Sequence, residues 1–184
     1  MKTALILLAE GFEETEAVTI IDVLRRANID ITAAALADNP VKGAHAISVV
    51  ADTQLAHVTE RLFDAVILPG GMGGTNNLLA SAEVAALLRN HAEQGSIVSA
   101  ICAAPLVLEK AGLLSGKEAT IYPGLAEKLT SAGRRSEATV VQDGTIITSK
   151  GPGTAMEFAL HLVESLAGKM AADQVADGLL YQGR

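Results

Sequence analysis

Short unbroken apolar runs alternate along this chain with longer stretches in which apolar positions recur every three or four residues. The first run, Ala4–Ala9 (ALILLA), is too short for a core helix and fits a strand buried on both faces. Gly11 breaks it. From about Thr15 the stripe Ala17, Ile20, Ile21, Leu24 and Ala27, with Asp22, Arg25 and Arg26 alongside, predicts an amphipathic helix. Further strands are predicted at Asp30–Leu36, Ile47–Ala51, Ala65–Leu68, Ile97–Ile101 and Ala119–Tyr122. Helices are predicted at Ser81–His91, Ala104–Ala111, Ala126–Thr130 and Met170–Leu180. Pro69-Gly70-Gly71 stops a strand, and the glycines that follow it read as loop.

Two local signals sharpen the C-terminal third. Asp143-Gly144, between Ala138–Gln142 and Thr145–Thr148, favours a tight type I′ hairpin turn. Thr154 and Glu157 have the spacing of a capping box and predict a helix from Thr154. The alternation as a whole predicts one α/β domain over residues 1–184. Its sheet is mostly parallel, with helices on both faces and one antiparallel hairpin.

Composition narrows the function classes. With 49% apolar residues the chain has ample material for a core. Aromatics make up only 3%, too few for a platform that stacks single-stranded nucleic acid. The formal charge of −7 disfavours adhesion to DNA or anionic lipid, and there is no specific nucleic-acid signal. The longest uncharged apolar stretch, Ser96–Leu108, is broken by Pro105 and falls short of a membrane span. The N-terminus runs straight into Glu10, Glu13, Glu14 and Glu16, unlike a signal peptide. A single cysteine, Cys102, cannot form an intrachain disulfide. Together these predict a soluble cytoplasmic protein.

Parallel strands place their carboxyl ends on one edge, where open α/β sheets bind ligands. Three such ends carry chemistry: Gly11–Glu16, Pro69–Gly74 and Cys102–Pro105. Cys102 falls where a buried strand turns into a helix, the position of a nucleophile elbow. A helix N-terminus lowers the pKa of a nearby thiol, so a thiolate below the free range of ~8.5 is expected. One of Glu13, Glu14 and Glu16 is placed to face that sulfur, and the pattern does not select which. Gly70 and Gly71 allow backbone N–H groups to approach a ligand. No G-x-G-x-x-G or P-loop is present. His45, His57, His91 and His161 have no metal-ligand spacing, so no metal and no cofactor is implied.

Four segments in order, AEGFEETEA (9–17), ILPGG (67–71), AICAAP (100–105) and SKGPGTAMEF (149–158), resemble the ThiJ/PfpI superfamily. They are most similar to its Parkinson-associated deglycase-like branch and bacterial YajL-type members, over Met1 to about Ala176. The resemblance implies a flavodoxin-like sandwich and a homodimer. It implies that Cys102 is the reactive cysteine and Glu16 the acid that hydrogen-bonds its sulfur. Gly71 and Ala103 match residues whose backbone N–H groups point at a bound or oxidised oxygen. Gly70, Tyr122, Arg26 and His45 match positions near the pocket or the dimer interface. Small reactive carbonyls such as methylglyoxal and glyoxal, or glycated groups, are the implied substrates. Cysteine oxidation to sulfinate, stress protection and chaperone activity are the implied alternative.

Two positions depart from the family pattern. Ala103 stands where hydrolase-like relatives have a histidine after the cysteine, so no Cys–His dyad of adjacent residues exists. Thr120-Ile121-Tyr122-Pro123 puts Tyr122 in place of a histidine found in efficient glyoxalases. A phenol with a pKa of ~10 is a poor base at neutral pH. General acid–base help is worth ~10²–10⁴-fold, so weak turnover is expected. A phosphate-binding or receiver-type signalling domain shares the architecture, but it would need an acid where Pro69-Gly70-Gly71 stands.

Overall fold

A computed structural model describes residues 1–183. Its main sheet has seven strands. In chain order the elements are β1 (Thr3–Leu8), α1 (Glu14–Arg26), β2 (Asp30–Ala35), β3 (Val41–Lys42), β4 (Ser48–Val49), β5 (Thr53–Gln54), β6 (Ala65–Leu68), α2 (Met72–Ala80) and α3 (Ala82–Glu93). There follow β7 (Ile97–Ile101), α4 (Pro105–Lys110), β8 (Glu118–Ala119), β9 (Arg134–Arg135), β10 (Val140–Asp143), β11 (Ile146–Ser149), α5 (Ala155–Ala167) and α6 (Lys169–Gly178). The sheet order is β10-β11-β7-β6-β1-β2-β5, parallel except for β10 against β11. Helices cover both faces, which gives the α/β sandwich that the alternation predicts and the flavodoxin-like arrangement that the resemblance implies.

The unbroken apolar runs follow from burial on two sides. Ala4, Ile6 and Leu8 of β1 join the core under α1 and α5, while Leu5 and Leu7 join the core under α2, α3 and α4. Ala65 and Ile67 of β6 face the first core, and Val66 and Leu68 face the second. Helix α1 packs on α5 with Ala17, Ile20, Val23 and Leu24 buried. Glu16 lies on that buried stripe, one helical turn before Ile20, and is completely buried itself. Among the described residues no helix is long and apolar enough to cross a membrane.

Several local expectations give way to tertiary contacts. The stretch after Gly71 is helix α2 rather than loop. Gly71 has φ +83°, which makes the sharp turn, and a Cβ on Gly74 would lie 2.9 Å from the Phe12 backbone. The glycines therefore serve close approach of α2 to the β1–α1 loop, at the expense of helix propensity. Ile47–Ala51 supplies only β4, paired with β3 outside the main sheet. Ala119–Tyr122 contributes only Ala119 to a strand, because Thr120 N–H turns to the Thr148 hydroxyl at 2.9 Å and a 3₁₀ turn, Pro123–Lys128, follows. That turn replaces the helix expected at Ala126–Thr130. The hairpin closes through Gly144 and Thr145 with positive φ at Gly144 and not at Thr145, the pattern of a type II′ turn rather than I′. The Thr154–Glu157 capping box does not form: Glu157 accepts from Thr139 Oγ1 at 2.7 Å, and the Thr154 hydroxyl engages Ser149 and Gly151.

Candidate functional site

The ends of β1, β6 and β7 lie side by side, so the loops after them converge although they are far apart in sequence. Cys102 follows β7 directly with φ +63°, a left-handed conformation that costs an L-residue about 1–2 kcal/mol. Two hydrogen bonds hold it there. Cys102 N–H donates to Ser149 O at 3.0 Å, and Tyr122 N–H donates to Cys102 O at 3.0 Å. Pro105 opens α4, where its missing N–H leaves no gap in the helix ladder. The elbow therefore aims the thiol out of the sheet edge while leaving it partly buried.

Four groups meet the sulfur or the residue that faces it. The N–H groups of Gly71 and Ala103 point at the Cys102 sulfur, and the Glu16 carboxyl faces it from α1. Glu16 Oε2 accepts from Gly70 N–H at 2.7 Å, and Oε1 is buried as well. A Cβ on Gly70 would lie 2.5 Å from Cys102 Cβ and 2.8 Å from Glu16 Oε2, so only glycine fits between them. Gly71 needs its positive φ and sits tightly against the backbone of Gly11, Phe12 and Glu13.

Burial dominates the electrostatics. It pushes the Glu16 carboxyl up from 4.5 to about 7, against the hydrogen bonds from Gly70 and Cys102, which favour its charged form. Burial also pushes the Cys102 thiol up to about 12, with the charge of an ionised Glu16 as the next cause. Gly71 and Ala103 N–H act in the opposite direction. The lowered thiol expected from the helix N-terminus is thus not what this geometry gives when Glu16 is ionised. When Glu16 holds the proton, its repulsion disappears and the two N–H groups favour thiolate. The pair titrates as a unit.

The other two acids of the EETE segment have separate partners. Glu13 caps α1 by accepting from Thr15 N–H at 3.4 Å, and its own N–H donates to Gly70 O at 2.9 Å. Glu14 is buried and accepts from His45 N–H at 2.7 Å and Ile47 N–H at 3.3 Å, with His45 Nδ1 at 2.9 Å. Burial alone would raise Glu14, but these hydrogen bonds outweigh it and hold the carboxyl below its ordinary value. The same contact raises exposed His45. Glu14 therefore fastens the β3–β4 hairpin to α1, a long-range role that a dipole reading of the first turn does not give. Ligand atoms of Glu13, Glu14 and His45 lie within 4.8 Å of one another, a grouping the histidine spacing concealed.

Of the remaining pocket positions, Tyr122 is at the site. It is 50% exposed, and its ring lies against Gly151 and Gly124 beside the Cys102 sulfur. His45 reaches the site only through Glu13 and Glu14. Arg26 is not brought to the thiol: it pairs with Asp22 at 2.7 Å and lines a separate cleft with residues of α6. Ten residues of helix separate it from Glu16, about 15 Å along the axis. Met72 and Leu125, which no sequence signal singles out, line the cleft over Cys102. Gly151, within the SKGPGTAMEF segment, forms part of the wall beside the sulfur.

A model of the DJ-1/PfpI family matches residues 2–165. The chain belongs to the DJ-1/PfpI family. Protein dj-1beta of Drosophila melanogaster is 48% identical over 181 residues, covering 97% of each chain. The crystal structure of that DJ-1 protein superposes with a TM-score of 0.95 over 97% of each chain. An oxidised Toxoplasma gondii DJ-1 structure is 38% identical with a TM-score of 0.95, over 99% of this chain and 100% of the other. A Caenorhabditis elegans relative named glutathione-independent glyoxalase DJR-1.2 is 38% identical over 169 residues, 91% of this chain and 90% of its own. The sheet order described above thus belongs to a DJ-1-type scaffold.

Proposed function

We propose that this protein is a cofactor-independent cysteine enzyme of stress protection that converts reactive carbonyls, of glyoxalase or deglycase type. The observation that carries the reading is the completely buried Glu16 carboxyl facing the Cys102 sulfur. A carboxyl in that position can hold the thiol's proton, leaving thiolate, and can return a proton to substrate. The relative named as a glutathione-independent glyoxalase supports the same reaction class.

Sγ attacks the aldehyde carbon, and the carbonyl π pair moves to oxygen, where Gly71 and Ala103 N–H stabilise the charge and Glu16 supplies a proton. The resulting Glu16 carboxylate removes the C1 hydrogen as a proton. That bonding pair forms a C1=C2 double bond while the C2 carbonyl π pair moves to its oxygen and takes a proton, giving an enediol. The C1 hydroxyl then loses its proton as C1=O forms, and the C1=C2 pair takes a proton at C2 to give a thioester. Water hydrolyses the thioester and releases a 2-hydroxy acid with the free thiol. Tyr122 stands where the resemblance puts a histidine, so the imidazole base is missing from that position and turnover is weak. Purified protein should consume methylglyoxal, and Cys102→Ser should abolish consumption; unchanged turnover in that variant rejects the mechanism.

A second reading has its own support. Two N–H groups and the Glu16 carboxyl converge on the sulfur, which suits a sulfinate whose oxygens need donors when that carboxyl holds a proton. Mild peroxide should then add two oxygens to the Cys102 peptide by intact mass. Identical oxidation of Glu16→Ala would remove this reading. For either role we place the protein in the cytoplasm as a homodimer. Val18 on α1 and Val50 after β4, the latter 73% exposed, line one cleft, and Ile47 is exposed beside β4, which leaves apolar side chains for a partner copy to cover. Light scattering should give twice the chain mass, and a monomer at micromolar concentration would contradict the dimer.

A further inference from the structure

The cleft over Cys102 has a volume of about 280 Å³ and is lined by Met72, Cys102, Ala103, Tyr122, Gly124 and Leu125. Its polar and apolar parts are segregated. At the sulfur end stand Gly71 N–H, Ala103 N–H and the carboxyl of the fully buried Glu16. Away from the sulfur the walls are a thioether, a phenol ring and a leucine, with no charged side chain among them. Met72 is 44% exposed and Tyr122 50% exposed, so two large side chains stand in water at the mouth.

A volume of this size is near the lower end of sites that enclose drug-sized ligands. Methylglyoxal offers the cleft only a methyl group beyond its two carbonyls and leaves Met72 and Leu125 wet. An aromatic arm would cover them, and a thioether and a phenol ring are favourable neighbours for it. The tyrosine that removes a base from the family's histidine position therefore adds an apolar wall. We infer that the Met72–Tyr122–Leu125 cleft binds the apolar arm of the substrate, and that α-oxoaldehydes bearing an aryl or comparably bulky apolar group are preferred over methylglyoxal. This rests on the carbonyl reading of Cys102. The chemistry is unchanged: an aryl α-oxoaldehyde and one water give an aryl 2-hydroxy acid, with one carbon oxidised and its neighbour reduced, and no external oxidant.

Alkylation reads the cleft without requiring turnover. Rates for phenacyl bromide and bromoacetone at Cys102, each divided by the rate with free glutathione at the same pH, give a normalised aryl-to-methyl ratio. A ratio of about ten or more is expected, in the range that apolar pockets achieve. It should fall to within about twofold of unity when Met72→Asn and Leu125→Asn are combined. A ratio near unity in the unsubstituted protein overturns the inference. In turnover, kcat/KM for phenylglyoxal should exceed that for methylglyoxal by a similar factor; equality or the reverse order also overturns it. If the alkylation ratio is high while neither aldehyde is consumed, the apolar-arm assignment stands and the turnover reading falls.

Discussion

Glu16 and Cys102 approach one another from the first turn of α1 and the end of β7, with Gly70 wedged between their side chains. The contact spans 86 positions of sequence and depends on three neighbouring parallel strands ending at the same level. Its chemical consequence is that neither group titrates alone. Burial works against charge on both, so between pH values of about 7 and about 12 the pair holds one proton between carboxyl and thiol.

The Glu16 carboxyl makes stability depend on pH. Its value rises from 4.5 to about 7 on folding, so the fold favours the uncharged form. The associated stability is complete below pH 4.5 and fades as pH climbs to about 7, a loss of roughly 3 kcal/mol. Glu16→Gln keeps a neutral side chain at every pH. Urea unfolding at pH 4.5 and 7.5 should show the parent losing about that much more stability than the variant. Parallel pH profiles would contradict the assignment of the shift to Glu16.

Gly70→Ala should damage the site and the fold together. The added methyl meets Cys102 Cβ and Glu16 Oε2 well inside contact distance, and neither a β-carbon nor a buried carboxyl can swing away. Overpacking of this kind costs about 1–3 kcal/mol. Thermal unfolding should shift down, and iodoacetamide labelling of Cys102 should slow by about tenfold or more as the elbow is displaced. A stable variant with normal labelling would mean that the two residues are not held against Gly70.

The elbow strain is testable apart from reactivity. Cys102→Ala and Cys102→Gly both remove the thiol, but only glycine is relaxed at φ +63°. Cys102→Gly should be the more stable of the two by about 1 kcal/mol in denaturant unfolding. The reverse order would place the strain elsewhere.

Much of this fold was legible because β1, β6 and β7 are buried on both faces and so read as unbroken apolar runs; β6 and β7 match their predicted ends. What failed is what tertiary contacts decide. Gly73 and Gly74 look like loop residues, and only the backbone of Gly11 pressed against the first and of Phe12 against the second explains glycines in a helix. Glu157 looks like a capping residue until Thr139 offers it a hydroxyl from another segment. At the site, Cys102 was legible from the strand-to-helix junction. The choice of Glu16 came from family resemblance, since three acids in four positions carry no pattern that says which faces inward. Met72 and Leu125 left no signal because lining a cleft requires only an apolar side chain, the commonest kind in this chain.

The pH profile of Cys102 alkylation by iodoacetamide, in the parent and in Glu16→Gln, tests the shared proton most directly. A coupled pair gives a rate that rises as the first proton leaves, near pH 7 or below, then holds a plateau, and rises again only toward the upper limit near 12. Glu16→Gln should lose the plateau and show one transition. A single ordinary thiol titration, the same in both proteins, would contradict the coupling of Glu16 to Cys102.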